Sequence, residues 1–151
     1  MRFNESDRGR LWLVVLSAGA VLTAAGCGKK SAVGKVFPVS GKVLLGHDPL
    51  PSGVVVFAPD SSKGNSAKAF PVGTIGADGT YTLTTDAKKG APLGWYTVTI
   101  STDVPPSGDV TKVPPRVVTI NQKYKDTATS GLVYEVKESP QPGEYDIKVT
   151  K

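Results

Sequence analysis

The side chains in this chain that could do chemistry are few and far apart. It has one histidine, His47, and one cysteine, Cys27. His47 lies between Gly46 and Asp48 in a sequence that reads as a tight turn. A neighbouring aspartate rarely orients an imidazole as a catalytic triad requires, because the triad's members converge from separate parts of a fold. His47 is therefore expected to be a solvated turn residue. One histidine and one cysteine do not make a tetrahedral zinc set. Asp60, Asp78, Asp86, Asp103 and Asp126 are scattered through loop-like segments, without the spacing of a calcium loop. No glycine-rich phosphate loop leads into a helix. The chemistry-bearing residues thus predict no catalysis, no metal and no cofactor.

Two residues stand out for other reasons. Trp95 begins an alternating stretch in which Tyr96, Val98 and Ile100 are expected to face inward. That parity turns Trp95 outward, where an indole could stack on a sugar ring or anchor a protein partner. The plainer expectation is that it covers the rim of the domain. Cys27 stands out by position. It ends the run Leu22-Thr23-Ala24-Ala25-Gly26-Cys27, directly after the stretch Leu11–Ala25, which is apolar apart from Ser17 and Thr23. Arg2, Arg8 and Arg10 precede that stretch, diluted by Glu5 and Asp7. A charged start, a short apolar run and small residues before a cleavage point are the parts of a secretory signal. About 15 apolar residues are too few for an ordinary membrane-spanning helix.

The segment resembles the signal peptide and lipobox of bacterial lipoproteins. The resemblance implies cleavage between Gly26 and Cys27, a diacylglycerol on the Cys27 thiol and acylation of the new amine. Ala25 and Gly26 fit the small-residue positions, while Ala24 stands where leucine is commoner. Two or more acyl chains make a stable anchor, at about 0.8 kcal/mol for each buried methylene. A secreted protein with an unmodified cysteine, or an uncleaved anchor, is the alternative. Gly28 follows the cysteine. An aspartate there favours inner-membrane retention in well-studied sorting systems, so its absence favours the outer membrane.

The expected organisation is a helical signal peptide over 1–26, a lipidated tether over 27–35 and one domain over 36–151. The net charge of the chain is +5. The lysines of the domain are dispersed, so no nucleic-acid patch is expected. With Cys27 its only cysteine, the mature chain has no internal disulfide to hold it.

The domain reads as short alternating segments separated by Gly and Pro, the pattern of an all-β sandwich. Val39, Val43 and Leu45 alternate, Leu50 tucks under the turn that follows, and Val54–Phe57 reads as a strand buried on both sides. Gly76-Ala77-Asp78-Gly79 is a hairpin signal. Tyr81 and Leu83, then Tyr96, Val98 and Ile100, then Leu132, Tyr134 and Val136, then Tyr145, Ile147 and Val149 each put large groups on one face. Pro105, Pro106, Pro114 and Pro115 mark an exposed crossover, and Val117–Ile120 suggests a further short strand. Seven to eight antiparallel strands are expected.

Val39-Ser40-Gly41-Lys42-Val43, Pro49–Phe57, Asp78–Leu83 and Gly90–Val98 together resemble carboxypeptidase regulatory-like domains. Lys123–Leu132 looks like a stretch found in small bacterial lipoproteins carrying such a domain alone. The chain departs from that pattern at Asn121-Gln122, where a proline often stands. The resemblance implies an Ig-like, transthyretin-like β-sandwich that is accessory and non-catalytic. A hydrolase of oxidised purines shares that fold, but it needs several histidines and an arginine near a characteristic tail. This chain ends Asp146–Lys151 without them. Tyr124 is expected to bury its ring at the sandwich corner with its hydroxyl on backbone. The implied function is an interaction or structural module of the cell envelope, held to a membrane through Cys27, with an envelope protein or glycan as partner. The alternative is a carbohydrate-binding module using Trp95.

Overall fold

In the computed structural model, residues 33–103 and 118–151 are described. The strands are β1 (Ser40–Leu45), β2 (Asp48–Pro49), β3 (Gly53–Pro59), β4 (Val72–Ile75), β5 (Thr80–Thr82), β6 (Thr84–Thr85), β7 (Lys88–Lys89), β8 (Gly94–Ser101), β9 (Val133–Val136) and β10 (Ile147–Val149). One sheet has the order β10-β1-β2, with β5 also paired to β1. The other runs β7-β6-β4-β3-β8-β9. The protein is all-β, as expected, with two sheets whose inward faces share one core.

Period-two alternation decides which residues fill that core. Val55, Phe57, Tyr96, Val98 and Ile100 from one sheet meet Val43, Tyr81, Ile147 and Val149 from the other. Phe57 lies at the centre of an aromatic group. Its ring centroid is 5.8 Å from that of Tyr96, 6.2 Å from Tyr134 and 6.4 Å from Tyr81. Tyr81 and Tyr96 bury their rings, Tyr134 is half-buried, and each gives its hydroxyl hydrogen to a carbonyl. Tyr81 donates to Tyr145 O at 2.7 Å, Tyr96 to Pro92 O at 2.9 Å and Tyr134 to Asp146 O at 2.9 Å. Such pairing offsets the cost of taking a phenol out of water. Burial pushes all three phenols above their usual range, Tyr81 furthest.

Several details depart from expectation. Val54 and Val56 are half-buried, so β3 is covered on its inner face and partly open on its outer face. The turn at Gly76–Gly79 closes, with Gly79 N donating to Gly76 O at 2.9 Å and Asp78 accepting from Thr80 N at 3.1 Å. It does not make a paired hairpin, because β4 belongs to the second sheet and β5 pairs with β1. Tyr81 fixes that choice. It stands opposite Gly41, where a Cβ would lie 2.3 Å from Tyr145 O, and its own hydroxyl bonds that same carbonyl. The chain then passes between sheets at Leu83. One pair is parallel, β1 with β10, with Val43 opposite Ile147. Tyr124 is buried as expected, with its hydroxyl against Thr150, 3.3 Å from Oγ1 and in reach of the backbone N–H. Val118–Ile120 is not strand, although Ile120 is buried.

Packing also begins earlier than residue 36. Val33 is buried, and Phe37 exchanges two backbone bonds with Ala91 at 2.8 and 2.9 Å. Lys88 Nζ donates to Val33 O at 2.9 Å. The upstream chain therefore lies down against the β6–β7 turn before it reaches β1.

Candidate functional site

Cys27, the signal segment and the prolines from Pro105 to Pro115 lie outside the described residues. His47 is exposed in the turn between β1 and β2, as expected of a solvated residue. The aspartates do not converge. Asp60 accepts from Ser62 N at 3.0 Å and Ser62 Oγ at 2.5 Å, and these bonds hold its carboxyl below the usual range. Asp126 accepts from Ala128 N at 2.7 Å, Asp103 pairs with Lys125, and Asp86 stands in the β6–β7 turn. Among the described residues no group of three or more His, Cys, Asp or Glu side chains could hold a metal ion. None of their helices is long and apolar enough to cross a membrane.

The surface around Trp95 is the most developed candidate site. Trp95 points outward on β8, opposite Glu135 of β9, and is half-buried. The polar loop after β3 folds against it. Asp60 caps a short 3-10 turn, Ser61–Lys63, which Gly64 ends in the left-handed region. Lys63 Nζ then sits 4.5 Å from the centre of the Trp95 ring. Trp95 O accepts from Asp60 N at 3.0 Å and from Asn65 Nδ2 at 2.8 Å. Asn65 is buried against Gly94, whose φ of 130° and missing Cβ leave room for the amide. An ammonium over an indole is a favourable contact of about 0.5–1 kcal/mol at exposed sites. The protein's own lysine therefore sits over the indole ring.

Phe70 provides the second aromatic group of this face. It is 59% exposed, the largest exposure among the big apolar side chains described. It lines an open cleft of about 410 Å³ with Ala58, Asp60, Ser61, Thr97 and Thr127. Thr97 is two residues beyond Trp95 on β8, so the cleft and the indole share one sheet face. Sequence parity contained this signal. Ile75 is inward, so Phe70, at odd spacing from it, turns outward with Val72. Lys63 carried no comparable signal, since its contact depends on the path of the loop.

A second cleft of about 410 Å³ lies where the chain enters the domain. Val33, Gly34, Ala67, Lys68, Asp86 and Pro92 are among its lining residues. Compared with known proteins, the chain matches no family model, and no curated protein or solved structure is significantly similar to it.

Proposed function

We propose that this protein is a lipid-anchored component of a bacterial cell envelope whose β-sandwich is a non-catalytic interaction module of the carboxypeptidase regulatory-like type. The run Leu22–Cys27 after the apolar stretch Leu11–Ala25 carries this reading. The dispersal of His47 and the aspartates, each aspartate of the loops around Trp95 and Tyr124 being engaged in a local bond or ion pair, supports a binding role over a catalytic one. The anchor places the domain outside the cytoplasm, with the outer membrane favoured by Gly28.

Mass spectrometry of the N-terminal peptide tests the anchor. Its expected mass is that of a chain starting at Cys27 with diacylglycerol on the thiol and an acyl group on the amine. Cys27→Ala is expected to lose both lipid and cleavage at Gly26. A wild-type peptide without lipid overturns the reading. In-cell crosslinking of the intact lipoprotein then identifies its protein partner.

A second reading, carbohydrate binding, is favoured by one observation: Phe70 is an open aromatic ring in a cleft with hydroxyl and carboxylate neighbours. In this form the ring that stacks on sugar is Phe70, and Trp95 with Lys63 forms the edge of the site. Co-sedimentation with envelope glycan that Phe70→Ala abolishes, without protein adducts on crosslinking, would move the function to this reading.

A further inference from the structure

The place where the chain enters the domain is basic, and its position is fixed by the fold. Lys88 grips the incoming strand through the Val33 and Gly34 carbonyls, at 2.9 and 3.4 Å. Lys89 is the next residue on the same edge strand, β7. Lys68 lines the entry cleft with Val33 and Gly34. Lys35 is two residues further along the entering chain, its ammonium 4.5 Å from the Phe37 ring centre. All four lysines are exposed. Facing them are two carboxylates, Asp86 in the cleft and Glu138, which lies 3.8 Å from Lys35. Positive charge is in excess.

We propose that this basic end is a contact surface for anionic lipid head groups, which lays the sandwich against the membrane that holds Cys27. The inference rests on the lipid-anchor reading. Two observations on the molecule argue for it. The first is chain length. Cys27 lies six residue steps from the buried Val33, which even fully extended span only about 20 Å. Because Val33 is docked under Lys88, an anchor at Cys27 makes the lysine-bearing end the part of the domain nearest the bilayer. The second is charge. An anionic leaflet attracts basic side chains only within about a Debye length, roughly 8 Å at physiological salt. A tether of that length lets this end, ahead of the opposite one, come within that range. The attraction strengthens binding about fivefold for each lysine at the surface.

The test uses the mature lipoprotein purified in detergent and reconstituted into vesicles of phosphatidylcholine alone or with about a third phosphatidylglycerol. Amine labelling is followed residue by residue. The expected result is several-fold slower labelling of Lys35, Lys68 and Lys89 on anionic vesicles, reversed by 0.5 M salt (roughly a 4 Å Debye length), with Lys123 and Lys148 unchanged. A triple variant replacing Lys35, Lys68 and Lys89 by Gln keeps the Lys88 contact, and with it the fold of the entry segment. Its far lysines should label identically on both vesicle types. Equal labelling of the entry and far lysines on anionic vesicles overturns the proposal. Failure of the anchor reading shows separately, as wild-type protein that does not float with neutral vesicles. The same protein's salt-sensitive binding to anionic vesicles, present or absent, then decides the surface alone.

Discussion

Asp86 and Ala87 turn the chain between β6 and β7 with φ of 45° and 66°. Thr85 pairs with Lys88 across them, so the connection is a two-residue hairpin that needs left-handed backbone at both positions. Aspartate tolerates that region better than alanine does, because its short side chain bonds nearby backbone. Ala87 has no such compensation. Ala87→Gly is expected to stabilise the protein by about 0.5–1 kcal/mol, the relief of strain exceeding glycine's extra chain entropy. Urea unfolding of the variant would show a higher midpoint at unchanged slope, and a lower midpoint would contradict this account. At this scale the sequence was informative about type and less so about surroundings. The parity of Trp95 was legible from Tyr96, Val98 and Ile100, all of which are buried. Its cover was not, since Lys63 comes from a loop whose path is set by Asp60 and Gly64 and by no periodic pattern.

The entering segment shows how one element is tied to another. Phe37 pairs with Ala91, Leu83 N donates to Val39 O at 2.9 Å, and Gly90 N donates to Leu83 O at 2.7 Å. Gly90 makes this crossing possible. With φ at 116°, a Cβ there would lie 2.1 Å from Phe37 O. Gly90→Ala is expected to cost about 3 kcal/mol, combining overpacking with backbone strain. Hydrogen exchange should show the Phe37 and Ala91 amides losing protection first. Protection like that of the wild type would mean the segment is held by other contacts. Alternation made most strands legible, from Val43 to Val149. Pairing was less legible. Gly76–Gly79 has the composition of a hairpin turn, but the partner of β5 is chosen by Gly41 and Tyr145, remote in the chain. Likewise, four apolar residues in a row at Val54–Phe57 do not reveal whether a second layer covers them.

Across the whole molecule the core is held by apolar packing and by tyrosines that must stay protonated. Tyr81 is raised by burial first and then by Tyr134, Asp146 and Tyr145, and burial also raises Tyr96 and Tyr134. Below about pH 10 these phenols are protonated in both folded and unfolded chains, so their full contribution is present. As pH rises further the unfolded chain ionises and the folded chain resists, so stability falls. Tyr81 alone should remove about 1.4 kcal/mol per pH unit above that point. Tyr124, lowered by its bond to Thr150, opposes this in the outer part of the fold. Unfolding at pH 9 and pH 11 is expected to show the loss, and Tyr81→Phe should reduce the pH slope while weakening the protein by about 1 kcal/mol at pH 9. An unchanged slope in the variant would move the alkaline sensitivity elsewhere. The all-β layering was legible from composition and alternation, whereas the parallel alignment of β1 with β10 was not, because no local signal couples segments so distant. That alignment has a consequence for how the chain is made. Lys42 N bonds Asp146 Oδ1 across 104 residues, and among the described residues β10 is the strand that pairs with β1 on that side. A nascent chain therefore cannot complete its fold before nearly all of the domain has been made, so the first sheet closes only when the last strand is available.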